Sequence, residues 1–148
     1  VSPTLNKLNG QEAKVVKVID GDTVKVSING KNETIRVIGI NSPETVNPRR
    51  HVECFGREAS DMAREKLSNQ IVQLEDDPTQ GERDKYNRLL RYIWLNGGAR
   101  DIGALMIQLG YAYEYTYNTP YKYQAKYKQL QKEAEEGKKG LWADGACP

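Results

Sequence analysis

Histidine is nearly absent, and that narrows the chemistry first. The 148 residues contain one His, His51, in a polar stretch beside Arg49 and Arg50. It has no obvious partner, so it is not expected to serve as general base or metal ligand. Cysteine is almost as scarce. Cys54 and Cys147 have no CxxC spacing, which argues against a zinc site needing about four nitrogen or sulfur ligands. The pair is read either as two unrelated buried thiols or as a long-range disulfide that would suit an exported protein. No run approaches the ~18 uncharged apolar residues of a membrane span; the best stretch, 103–113, is short and contains Gln108. No signal peptide is visible and the chain starts at Val1 without Met. Either a leader was removed or the chain was trimmed. Nucleophile-elbow, Walker and HExxH motifs are also missing, as are repeats and low-complexity runs.

Charge is balanced overall, with 22 Lys+Arg against 20 Asp+Glu and a net +2. That is too little to identify a nucleic-acid binder, so placement matters more than the total. The stretch 75–84 is acidic, whereas 122–139 holds six Lys against three Glu, enough for a local basic face. The length points to one domain whose core needs no metal or cross-link. Residues 1–10 read as a flexible arm, and 11–148 as the domain.

Hydrophobic spacing orders the elements. Residues 12–19 read as a strand ending at the Asp20-Gly21-Asp22 turn. Val24, Val26 and Ile28 alternate with polar residues up to Asn29-Gly30, and 34–40 form a third, β-branched strand. Pro43 ends it, and 46–51 is a polar loop. Phe55, Ala59, Met62, Ala63 and Leu67 recur at helical spacing, predicting a helix over 53–68. Strands at 71–74 and 89–95 flank a charged loop over 78–87. Two more helices follow, one stopped by Gly110 and one ending near Gly137. Five short strands with a helix after the third match an α+β fold of the five-stranded Greek-key OB type with three helices. Periodicity alone fits another small α+β sheet equally well.

Two constellations carry candidate chemistry. Asp20 and Asp22 flank Gly21, and Glu44 follows Asn41-Ser42-Pro43. Such oxygen donors on adjacent turns can converge on a hard cation, or the Asp-Gly-Asp run can simply be turn chemistry. Arg36 interrupts an apolar strand and Arg88 enters another. They can form a phosphate clamp or structural ion pairs. Together the two sets suggest metal-assisted phosphodiester cleavage. Seven of the nine Tyr lie between Tyr111 and Tyr127. Tyr123 and Tyr127 fit a helix stripe. The others either stack nucleobases or pack with the polar tip outward.

These residues carry a resemblance. Ile19-Asp20-Gly21-Asp22-Thr23-Val24 and the run from Arg36 to Thr45 resemble signatures of the staphylococcal nuclease family. Gly56-Arg57-Glu58-Ala59, Asp84-Lys85-Tyr86-Asn87-Arg88, Leu109-Gly110-Tyr111-Ala112 and Gly140-Leu141-Trp142 follow in the family's order. The resemblance covers about Ala13 to Trp142 and implies an OB-type barrel with three helices. It implies a calcium-dependent nuclease acting on DNA and RNA, both internally and from ends, and leaving 3′-phosphates. Asp22, Asn41 and, through its carbonyl, Ser42 would be the calcium ligands. Glu44 would act on the attacking water, while Arg36 and Arg88 would stabilise the transition state. Lys85 and Tyr86 would contact the terminal phosphate, with Tyr115 near the base. The family carries Asp where this chain has Asn41, so weaker metal binding is expected. The alternative function is a non-catalytic or weakened single-strand-binding OB module. A secreted or envelope location and a monomer are expected.

Overall fold

The computed structural model describes residues 10–43, 54–95 and 98–147. The amino-terminal arm, Glu44, His51 and the polar loop lie outside the described residues.

A meander begins the fold. Strand β1 (Gln11–Asp20) pairs antiparallel with β2 (Thr23–Ile28), which pairs antiparallel with β3 (Lys31–Val37). Ala13, Val15 and Val18 of β1 point inward, as do Val24, Val26, Ile35 and Val37. The inward set on β1 changes phase after Val15 because the register with β2 slips between Val15 and Lys17 and again between Val18 and Asp20. Such bulges sharpen the local twist, as a small barrel requires. Strand β3 ends at Val37, before the expected Ile40. Gly39 turns the chain with φ +86°, and a Cβ there would lie 2.6 Å from the Tyr121 ring. Only glycine suits both the backbone and the space. The chain resumes as β4 (Ile40–Asn41).

Helix α1 (Gly56–Leu67) buries Ala59, Ala63 and Leu67, one residue per turn along a single stripe. Strands β5 (Ile71–Glu75) and β6 (Leu89–Leu95) follow. The sheet order is β3-β2-β1-β5-β6, and β3 also pairs with β6 in parallel, closing the barrel. A two-residue strand, β7 (Arg100–Asp101), pairs antiparallel with the end of β6 and leads into α2 (Ile102–Gln108), buried from Ile102 to Ile107. A short β8 (Tyr113–Glu114) pairs with β4, and α3 (Gln124–Glu136) packs through Tyr127 and Ala134. This is an OB-type α+β barrel with three helices, as the strand pattern anticipated.

Tyr123 and Tyr127 pack against the core as the helix stripe predicts, and Tyr115 and Tyr117 are exposed, but Tyr121 is buried against the outward-tip expectation. Tyr92 donates to Asp77 at 2.6 Å, Tyr127 to Asp101 at 2.6 Å, Tyr121 to Glu114 at 2.8 Å and Tyr123 to Glu75 at 2.8 Å. Burial, reinforced by the carboxylate each phenol faces, pushes all four hydroxyls above their ordinary range. The tips point inward because each finds a charged acceptor, without which burial would be costly.

A disulfide joins Cys54, just before α1, to Cys147, 93 residues later. Loop closure of that length restricts the unfolded chain, worth about 4–5 kcal/mol in the chain-entropy model. Reduction, or the Cys54→Ser/Cys147→Ser pair, is therefore expected to lower the unfolding free energy by up to about 4–5 kcal/mol. Urea titrations with and without reductant test this; coincident curves would show that the cross-link contributes nothing.

Candidate active site

The barrel closure sets the geometry. In the parallel pairing Ile35 lies opposite Leu89 and Arg36 opposite Leu90, so Arg36 at the end of β3 is adjacent to the chain entering β6 just after Arg88. Both arginines line one cleft of about 410 Å³, together with Lys85, Tyr86, Tyr115 and Tyr117.

Arg36 is held by its main-chain surroundings. Its Nη1 donates to the carbonyls of Val37 and Ile40, each at 2.8 Å. Its Nη2 lies 3.4 Å from Asn41 Oδ1 and 3.5 Å from Asp22 Oδ2, which brings two of the expected metal ligands around one nitrogen. Asp22 is buried. Its Oδ1 accepts from the Thr23 hydroxyl and its Oδ2 from the Ser42 amide, both at 2.8 Å. Ser42 thus approaches Asp22 through its backbone N–H. Gly21 allows that approach, since a Cβ there would meet the Ser42 Cβ at 2.7 Å and the Ala59 methyl at 3.3 Å. Helix α1 backs the same corner.

Arg88 is oriented by Asp84, a role the sequence reading did not assign. Its Nε donates to Asp84 Oδ2 at 2.7 Å, and its backbone N–H donates to Oδ1 at 3.0 Å. Among the described residues neither Nη nitrogen of Arg88 is engaged, so both are available to an anion. No periodicity signalled the Asp84–Arg88 contact, because residues 84–88 form a loop rather than a helix. The Tyr86 ring is flanked by cations, with Lys85 Nζ and Arg88 Cζ each 5.2 Å from its centroid. Tyr115 stands 5.8 Å from the Arg36 guanidinium. Tyr86 and Tyr117 are about two-thirds exposed, at 67% and 65%, so each presents a ring to solvent. Arg83 also borders the cleft. It is tied to Glu33 by two bonds of 3.0 and 2.9 Å and steadies the loop rather than reaching for ligand.

Arg36, Lys85, Tyr86, Arg88 and Tyr115 therefore meet in one cleft, and Asp22, Asn41 and Ser42 adjoin it through Arg36. Glu44 lies outside the described residues, and the cysteines serve the cross-link. Among the described residues no group of three or more His, Cys, Asp or Glu side chains could hold a metal. The donors present are nonetheless all oxygen, the Asp22 carboxylate and the Asn41 amide, and they suit a hard cation. Asp22 Oδ2 already accepts from the Ser42 amide at 2.8 Å and is ion-paired with Arg36 at 3.5 Å, so a cation here would share the carboxylate with both.

The family model described as "Staphylococcal nuclease homologue" matches residues 34–144. A thermonuclease of Staphylococcus hyicus is 41% identical over 143 residues, covering 97% of this chain and 82% of the relative. A thermonuclease of Staphylococcus intermedius is 36% identical over 135 residues, covering 91% and 78%. Endonuclease YncB of Bacillus subtilis is 34% identical over 128 residues, covering 86% of this chain and 59% of the relative. The chain belongs to the staphylococcal nuclease family.

The Asp84–Arg88 pair has a titratable signature. Burial raises the Asp84 carboxyl, but hydrogen bonds from the Arg88 backbone and guanidinium, with its charge, outweigh that and leave it below the ordinary range. A depressed carboxyl contributes stability above its unfolded pKa, and that contribution disappears as pH falls through the folded value. In Arg88→Ala burial and the backbone bond remain while the guanidinium is gone, so the Asp84 titration moves upward. Carboxyl-carbon NMR checks this, and an unmoved titration would mean the pair is not formed in solution.

Proposed function

We propose that this chain is a calcium-dependent phosphodiesterase that hydrolyses DNA and RNA within the chain and from its ends, leaving 3′-phosphates. The observation that carries this reading is the pair of guanidiniums, Arg36 and Arg88, lining one cleft, the second with both Nη nitrogens unengaged among the described residues. A planar guanidinium matches phosphate with paired N–H donors that lysine lacks. The names of the relatives, thermonuclease and endonuclease, support the same chemistry.

In this mechanism Arg36 and Arg88 grip the non-bridging oxygens of the scissile phosphate and gain strength as charge builds on them in the transition state. Asp84 fixes the plane of Arg88, so less reorganisation is needed at the moment of reaction. Asp22, the Asn41 amide oxygen and the Ser42 carbonyl would hold calcium, which when bound polarises the phosphoryl oxygen. Glu44 takes the proton from the attacking water and so directs hydroxide at phosphorus; the phosphorus–O5′ bond breaks, the phosphate stays on the 3′-oxygen, and the departing 5′-oxygen takes a proton from solvent. Lys85 and Tyr86 receive the terminal phosphate of the nucleotide, and Tyr115 lies against its base. The disulfide favours an oxidising compartment such as the cell exterior, and no helix among the described residues is long and apolar enough to cross a membrane. We assign a monomer.

A binding module is the competing reading, favoured by one observation: Asn41 removes a charge from the cation corner. Digestion of a defined oligonucleotide with calcium and with chelator separates the two. Cleavage only with calcium is expected, and a mobility shift without cleavage at millimolar calcium would establish the binder. Glu44→Gln is expected to slow turnover roughly 10²–10⁴-fold, and Arg88→Ala roughly 10²–10³-fold, with both chains folded. Wild-type turnover in either would overturn that residue's role. For the cation corner, Asn41→Asp is expected to tighten calcium about tenfold by calorimetry, because added ligand charge raises affinity. Unchanged affinity would remove Asn41 from the ligand set.

A further inference from the structure

The outward face of the meander carries an arrangement that fold stability does not explain. Val24 and Val26 are fully buried, so Lys25 between them projects outward. Residues directly opposite in an antiparallel pair share a face. Lys25 stands opposite Lys17 on β1 and Thr34 on β3. Two like charges directly opposite each other are unfavourable in a sheet. Lys17 is exposed and Lys25 half-buried, and neither forms an ion pair with any described residue. The next row along the strands, Lys14 opposite Ser27, adds a third such lysine.

This stripe continues the cleft. Thr23 on the same face stands opposite Arg36. Lys25 is two residues further along β2, a step of about 7 Å. Moving away from the phosphate grip, the face therefore presents Arg36, then the Lys17–Lys25 pair, then Lys14. Beside Lys17, an open groove of about 520 Å³ between β1 and the end of α1 includes Val16, Arg64 and Asn69. Val16 is 50% exposed, placing an apolar side chain next to the cations. The carboxylates bracketing the stripe are Glu12 and Asp20 on β1, the latter contacted by the Ser60 hydroxyl, with Asp22 3.5 Å from Arg36 at the cleft end and Asp61 2.8 Å from Arg64 in the groove.

We propose that this face is an extended polynucleotide track. The single strand whose scissile phosphate occupies the cleft runs outward over β1 and β2, with Lys17 and Lys25 each holding a backbone phosphate. The assignment rests on the nuclease reading for its polarity, and on charge complementarity and continuity with the cleft for its location. The basic helix α3 is the competing surface, but its Lys128 and Lys132 are followed directly by Glu133, Glu135 and Glu136 in the next turn.

The test is binding of a labelled 16-nucleotide single-stranded DNA by anisotropy, in chelator so that nothing is cut, across a salt series. Releasing two phosphate contacts makes the log–log salt slope shallower by about 1.4, at roughly 0.7 per contact on single strands. That change is expected for Lys17→Ala/Lys25→Ala, and about half of it for each single variant. The matched-charge control Lys128→Ala/Lys132→Ala is expected to keep the wild-type slope. Equal slopes for wild type and the β1–β2 variant overturn the track, as does a slope change confined to the helix variant. Urea melts guard against unfolding, since removing opposed like charges should not lower stability. In parallel, sedimentation with phosphatidylglycerol vesicles tests a membrane instead. Vesicle binding that depends on Lys17 and Lys25, with the DNA slope unchanged, overturns the proposal in favour of lipid. Binding with the expected slopes but no cleavage in calcium would sink the nuclease reading while leaving the track standing.

Discussion

The parallel contact between β3 and β6 is the constraint on which the site depends. The other barrel strands pair antiparallel, through hairpins or across α1, but this contact closes the ring. It sets Arg36 against Leu90, and so brings two distant guanidiniums to one cleft. A one-residue slip would turn Arg36 toward the interior, where an unpaired guanidinium cannot be sustained. The register is held from both sides. Ile35 and Leu89 are buried in the core, and the Ile38 amide donates to the Arg91 carbonyl at 3.1 Å. Beyond the strand ends Arg83 pairs with Glu33, fastening the loop that carries Arg88 to the start of β3. The convergence of Arg36 and Arg88 on one cleft is therefore a consequence of barrel closure.

A second set of contacts fixes the helices against that barrel. Glu75 and Asp77, at and just beyond the end of β5, and Asp101, entering α2, are all buried. Glu75 accepts from Trp94, Lys122 and Tyr123, and Asp77 from Tyr92, Thr79 and the Lys122 amide. Asp101 caps α2 at the Gly103 amide and accepts from Tyr127. The two aspartates respond differently. Burial raises both, but the donors around Asp77 outweigh burial and hold it below the ordinary range, whereas Asp101 remains above it. Buried carboxylates are tolerated here because phenol, indole and amide donors replace water. Losing one donor would leave a charge far costlier than the bond itself.

The sequence made the meander and the main helices legible because each obeys a local period. Val24, Val26 and Ile28 alternate, Ala59, Ala63 and Leu67 recur by fours, and Asp-Gly and Asn-Gly mark the turns. Long-range and short features were not legible. The β4–β8 pair has two residues per strand, too few for any period to register, and it exists because Gly39 reverses the chain. Tyr92, Tyr123 and Tyr127 show that a phenol's burial can be anticipated but its acceptor cannot. Asp77 and Asp101 are neighbours of these rings only in the folded molecule. At the site, Arg36 stood out as a charge in an apolar strand, whereas the Asp84 contact needed the loop's actual path. Pairing of Cys54 with Cys147 was likewise undecidable from spacing, since it depends on the carboxy terminus returning to the start of α1.

Asn41 gains its significance from the company it keeps. Arg36 Nη2 sits between Asn41 Oδ1 and Asp22 Oδ2. With an aspartate at 41, that guanidinium would face two carboxylates, and its charge would be largely neutralised before any phosphate arrived. With asparagine it faces one. The cleft lined by Arg36, Lys85 and Arg88 is correspondingly more positive, which strengthens the attraction for a phosphodiester and weakens that for a divalent cation. In the proposed calcium-dependent reading, asparagine at 41 would favour the phosphodiester and disfavour the metal. Arg36 is also held by the Val37 and Ile40 carbonyls, contacts that do not involve the side chain at 41.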